Sequence, residues 1–201
     1  LLSRVLGFSG HASVYTPDLT PIEDYVTVRN NIAALPFVKS ATPLVEGQVM
    51  VSSIKTASGA LIRGISEDEI AHMASINNDK LTTALGQVGV LDAVPSWKGF
   101  DKSEGIAIGQ RMAWKHQVGL GGTITLIAPN GPETVIGSAP RIRDYTVVAI
   151  FNMGMSDYDE NVIYMPLSEA QDYFVTDNGV NQIEVMVNDP DNVDAYTMPL
   201  M

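Results

Sequence analysis

The chain has 201 residues with 45% hydrophobic and 17% charged side chains, enough apolar material for a substantial core and too much for disorder. Twelve Lys and Arg face 23 Asp and Glu, a formal charge of −11, which sets the chain against nucleic acid and anionic lipid as partners. There is no cysteine, which excludes a disulfide scaffold, a thiolate metal site and a cysteine nucleophile, and no apolar run is long enough to span a bilayer.

Residues 10–15 read as a short strand, and Pro17 and Pro21 punctuate the loop behind it. A helix is expected from near Pro21, capped by Asp18 or Thr20, with Ile22, Tyr25, Val26, Ile32 and Leu35 on its apolar side and Pro36 as its stop. Residues 38–43 and 44–53 read as extended, Ser58-Gly59 as a turn and 60–65 as a strand, so that 44–65 form a hairpin. Residues 66–90 read as helical, with Glu67, Asp68 and Glu69 in an acidic first turn. The Pro95–Gly99 loop marks a domain boundary near that point.

The apolar run of residues 105–109 reads as a buried strand, residues 110–117 as a helix ended by Gly119, Gly121 and Gly122, and 123–127 as the next strand. Residues 145–151 and 161–165 are strands, with the acidic 157–160 stretch between them read as a solvated hairpin loop. Ser168 is the expected cap of a helix through Phe174, residues 182–187 alternate as a half-buried strand, and Asn188–Asp191 turn into one more helix. This alternation of strands and helices predicts an α+β class. The start at Leu1, without initiator Met or signal pattern, makes a segment of a longer chain the expectation, with a further strand beside 182–187 lying past its end.

No pattern of catalytic chemistry stands out. His11, His72 and His116 sit in separate elements without ligand spacing, and the 157–160 cluster lacks the glycine turn of a calcium loop. Gly119–Gly122 follow a helix and precede a strand, the reverse of a phosphate cradle. Ser9 and Ser138 each adjoin a glycine without forming a nucleophile elbow. The segment from Ile127 to Arg143 is more informative. It joins two strands, is long for a hairpin, carries Pro129, Pro132 and Pro140, and gathers Arg141 and Arg143 at its base. Such a segment reads as a protruding arm that offers backbone edges and the apolar Val135-Ile136 pair to a partner.

The run from Pro140 to Phe151, the Met153–Asp159 stretch, Val162–Leu167 and Glu169–Gln171 closely resemble the extracytoplasmic domain of LolC/LolE-type permeases, the membrane subunits of the lipoprotein-releasing ABC transporter. The remainder resembles the wider class of MacB-like periplasmic core domains. The resemblance implies a two-lobed domain: a Porter lobe with αβ repeats from residues 1–90 and 178–201, and a mostly-β Sabre lobe, 91–177, bearing the arm at about 127–143. It implies a non-catalytic periplasmic domain of a Gram-negative inner-membrane protein, without cofactor or metal. Its implied partners are a periplasmic LolA-like lipoprotein chaperone, the lipoprotein substrate, and a second permease subunit and an ATPase subunit reached through the full-length protein. The partner-binding residues it implies are Pro132, Val135, Ile136, Gly137, Pro140, Arg141, Ile142 and Arg143. At the arm tip this chain has Glu133-Thr134-Val135-Ile136-Gly137 where the family often has Phe-Thr-Pro-Leu/Met-Gly. The alternative within the same fold is a MacB-like efflux permease whose lobes contact an adaptor protein.

Overall fold

The computed structural model describes residues 10–70, 99–129, 133–134 and 137–189. In chain order these form β1 (Ala12–Val14), α1 (Tyr25–Ala33), β2 (Val38–Ser52), β3 (Ala57–Ile65), β4 (Gly105–Gly109), α2 (Gln110–His116), β5 (Thr123–Ala128), β6 (Glu133–Thr134), β7 (Gly137–Ser138), β8 (Arg141–Phe151), α3 (Ser156–Asn161), β9 (Val162–Pro166), α4 (Leu167–Phe174) and β10 (Gln182–Val187). The α+β class stands.

The main sheet runs β1-β10-β2-β3-β9-β4-β8-β5. Its last strand returns to β2, where Met50, Val51 and Ser52 pair with Ile127, Leu126 and Thr125. Six strands, β2-β3-β9-β4-β8-β5, therefore close into a ring, which removes the open edges a flat sheet would expose. The 15-residue β2 makes this possible: its first half pairs with β10 and its second half with β3.

The ring is filled by alternate side chains of its strands, among them Val49, Val51, Ile62, Ile106, Ile108, Ile124, Leu126, Val147 and Ile163. The opposite faces of β4 and β9 are buried too, because Ala107, Val162 and Tyr164 belong to a second cluster with Ile65, Ile70, Phe100 and Phe151. Burial on both faces is why β4 reads as an unbroken apolar run. Gly109 ends that strand where α3 crosses it. A Cβ there would lie 2.2 Å from the carbonyl oxygen of Asp159.

Several local expectations are corrected. Asp24 caps α1, accepting from Thr27 N–H at 3.4 Å, whereas Thr20 donates its hydroxyl to Asp18 at 2.8 Å in a separate turn. Ile22 is bridged to Val180, so the chain at Pro21 is extended and cannot yet be helical. The β2–β3 turn lies at Ser53–Thr56, where the Ser53 hydroxyl accepts from Lys55 and Thr56 N–H; Ser58 and Gly59 continue the ladder opposite Val51 and Met50. The left-handed Gln117, rather than the glycines, ends α2. Residues 157–160 are helical, not a loop, and Asp159 is buried with its carboxylate accepting from Met153 N–H at 2.7 Å. Pro166, not Ser168, precedes the first turn of α4. Among the described residues β10 has β1 on one edge, opposite Ile183–Val185, and β2 on the other. Helical structure is described at residues 67–70; the expected helix beyond, Gly86 and Gly89, and the expected helix after Asp189 lie outside the described residues.

Candidate functional site

The arm grows out of the antiparallel pair β5–β8, whose last register pair is Ala128 with Arg141. Beyond it Glu133 pairs with Ser138 and Thr134 with Gly137 in a two-stranded ladder. Gly137 is thus placed on the backbone of the arm, and Pro140 is exposed at the entrance to β8. Pro132, Val135 and Ile136 lie outside the described residues.

At the arm's base, alternation along β8 divides the side chains between two faces. Arg141 and Arg143 turn toward α4. Arg141 Nη1 donates to the backbone carbonyl of Asp172 at 2.5 Å. Arg143 Nη1 lies 2.6 Å from Asp172 Oδ2 and 3.1 Å from Glu169 Oε1. The Tyr145 hydroxyl donates to the same Glu169 oxygen at 2.7 Å, and the Tyr173 hydroxyl donates to the Arg141 carbonyl at 3.3 Å. The Tyr145 and Tyr173 rings meet edge to face with centroids 5.9 Å apart. The Asp172 hydrogen bond outweighs burial in holding Arg143 more firmly charged than a free guanidinium. Burial, reinforced by Glu169, raises the Tyr145 phenol above its ordinary range, so it stays a donor. The arm is therefore braced on α4 by two cations and two phenols.

Ile142 points the other way and is 58% exposed. Register puts it opposite Ile127, and Ile127 opposite Met50, which is 46% exposed. Three apolar side chains from β8, β5 and β2 thus form a row on the outer face, beside the base of the arm. Sequence reasoning found Ile142 alone. Met50 and Ile127 enter only through the closure of β5 on β2, a pairing no local pattern announces.

Arg63 is the other site that sequence reading missed. It is 3% exposed, donates through Nη2 to Glu184 at 2.7 Å and through Nη1 to the Tyr158 hydroxyl, and has Nε 3.6 Å from Glu46. Burial works against its charge, but Tyr158, Tyr164 and Glu184 more than offset this and hold it protonated. Burial also raises the Glu46 carboxyl, an effect Arg63 partly opposes. The cluster ties β3 to β10, β2 and α3.

The histidines serve structure where they are described. His11 Nδ1 accepts from Val187 N–H at 3.1 Å, and buried His116 lies between Ser58, 2.9 Å from Nε2, and Ser53, 3.3 Å from Nδ1. His72 lies outside the described residues. Among the described residues no group of three or more His, Asp or Glu side chains is disposed to hold a metal ion.

The described residues form a ring-shaped α+β body with an arm braced at its base on α4. Residues 4–198 match the MacB-like periplasmic core domain, and the chain belongs to that family. It is thus a non-catalytic periplasmic domain of the ABC-transporter permease type.

Relatives are distant. The lipoprotein-releasing system transmembrane protein LolC of Neisseria meningitidis serogroup B is 24% identical over 164 residues, covering 82% of this chain and 37% of that protein. The protein of the same name from Xylella fastidiosa (strain Temecula1) is 23% identical over 189 residues, covering 94% and 42%. The chain therefore spans only 37% and 42% of the length of these curated relatives. Among solved structures, the periplasmic region of MacB from Actinobacillus actinomycetemcomitans is similar with a TM-score of 0.49 at 13% identity, covering 93% of this chain and 72% of that one.

Proposed function

We propose that the domain is a docking module through which a transporter permease engages a periplasmic protein partner by its arm and the surface at the arm's base. The observation that carries this reading is the brace of Arg141, Arg143, Tyr145 and Tyr173 on α4. A contact made by a protrusion fixed on a helix is transmitted to the body, whereas one made by a loose loop is not. Family membership supports in the first place a MacB-like role in which the partner is an adaptor protein.

A second, finer reading is favoured by the names of the curated relatives. In it the domain belongs to an inner-membrane permease of a Gram-negative bacterium that releases outer-membrane lipoproteins and passes them to a LolA-like chaperone. A second permease subunit and a separate ATPase supply the motion. Val135, Ile136 and Gly137 are then the apolar tip, Pro132 and Pro140 stiffen the arm, and Arg141, Ile142 and Arg143 form the pad. The Porter and Sabre division at about residues 90 and 177 belongs to the same proposal.

Parallel calorimetric titrations of the domain with the purified lipoprotein chaperone and the purified adaptor of the same organism test this. Saturable binding of the chaperone supports lipoprotein release, and binding of the adaptor supports the efflux-type role. Binding of neither by folded protein overturns the docking module.

A further inference from the structure

We infer that His116 is a proton-sensitive fastener for the seam where β5 closes on β2, so that acidification loosens the ring at the root of the arm. The inference stands apart from the docking reading.

The seam is short. Met50, Val51 and Ser52 pair with Ile127, Leu126 and Thr125, whereas β5 pairs with β8 along its whole length. His116, at the end of α2, holds the hairpin of β2 and β3 just where this seam stops. Its Nδ1 lies 3.3 Å from the hydroxyl of Ser53, the residue after the last seam pair. Its Nε2 lies 2.9 Å from the hydroxyl of Ser58, which faces Val51 across the β2–β3 ladder. One buried ring thus ties both sides of the hairpin end to α2, whose Met112 and Ala113 are anchored in the core. The turn itself has no such anchor, since Ile54 and Lys55 are exposed.

This arrangement suits the neutral ring and not the cation. The Ser53 hydroxyl oxygen accepts from Lys55 N–H and Thr56 N–H, both at 3.3 Å, which occupies its two lone pairs. A neutral imidazole fits beside it, with Nδ1 accepting the Ser53 hydroxyl hydrogen and Nε2–H donating to Ser58. In the imidazolium both nitrogens are donors. Nδ1–H then competes with the two backbone N–H groups for one oxygen, and the hydroxyl hydrogen is left to the Thr56 carbonyl, 3.3 Å away. No anion is at hand to hold the charge. Lys115 beside it on α2 is a cation, Glu160 of α3 is engaged by Lys115 at 2.6 Å, and the turn brings a further cation in Lys55. Among the described residues no carboxylate forms an ion pair with His116. Burial, with a smaller effect of Lys115, accordingly holds its pKa below the ordinary range. The proton therefore favours the opened site: the fastening is complete above pH 6.5 and is lost as pH falls through the lower folded value. Opening at the turn is the least costly route, because it breaks long hydrogen bonds and uncovers little apolar surface. It frees β5 on its β2 side, while the brace of the arm on α4 lies on the β8 side.

The test is amide hydrogen exchange of the 201-residue chain at about pH 7.5 and about pH 5.5, corrected for the intrinsic pH dependence of exchange. Protection over residues 50–56 and 123–128 is expected to fall about fivefold at the lower pH, while β9 keeps its protection. His116→Gln, whose amide also reaches two hydroxyls and does not titrate, is expected to show the same protection at both pH values. Seam protection that does not change with pH in the wild type overturns the inference. A loss that extends equally to β9 overturns it as well, because the whole fold and not the seam is then opening. So does a pH-dependent loss that persists in His116→Gln. Should that variant not fold, the wild type decides by nuclear magnetic resonance of the imidazole. A His116 midpoint below 6.5 that coincides with the loss of seam protection supports the fastener, and one at or above 6.5 overturns it.

Discussion

Arg63 carries a charge into the interior, and its partners come from segments up to 121 residues away. Taking away one member of such a cluster leaves the others buried and uncompensated, which is where the cost arises. Arg63→Met is expected to destabilise the domain by about 3–5 kcal/mol in urea unfolding, and an unchanged midpoint would contradict the assignment. His116 gives a pH signature. Burial, with a smaller effect of Lys115, lowers its pKa below the ordinary 6.5. The unfolded chain therefore takes up the proton first, so the stabilisation by His116 is complete above pH 6.5 and is lost as pH falls toward the lower folded value. The difference in unfolding free energy between wild type and His116→Gln should shrink between about pH 7.5 and about pH 5.5. A difference that grows on acidification would reverse the reading.

At the scale of elements, what was legible in the sequence was whatever a short window determines. Residues 182–187 alternate in the sequence and form a strand with the same bounds, and the 105–109 run is the doubly buried β4. The helix over 110–116 and the hairpin of β2 with β3 were also legible. What failed was decided by tertiary partners. The start of α1 is set by the bridge from Ile22 to Val180, and α3 forms where Asp159 is buried against Met153 rather than solvated. The candidate site divides in the same way. Arg141, Ile142 and Arg143 were legible as a basic and apolar group at the foot of a long proline-bearing connection. Their carboxylate partners on α4 and the row through Ile127 to Met50 were not, because both depend on how the ring closes. The meeting of β4 and α3 gives a direct test of that packing. In Gly109→Ala the added methyl would meet the backbone of Asp159 at 2.2 Å, which cannot rotate away. A loss of about 1–3 kcal/mol is expected by thermal unfolding, and a wild-type melting temperature would show that the approach is looser than described.

At the scale of the whole molecule, the closed ring and the brace work together. The ring supplies a body without free edges on six of its strands, and α4 ties the base of the arm to that body. Under the proposed docking role the tip meets a partner while the ring and α4 carry the fold. This separates binding from stability, and one measurement exploits it. Val135→Asp/Ile136→Asp is compared with wild type by circular dichroism and by calorimetric titration with the partner that saturates the wild-type domain. The account predicts unchanged circular dichroism and loss of saturable binding. Wild-type affinity in the double variant would contradict it.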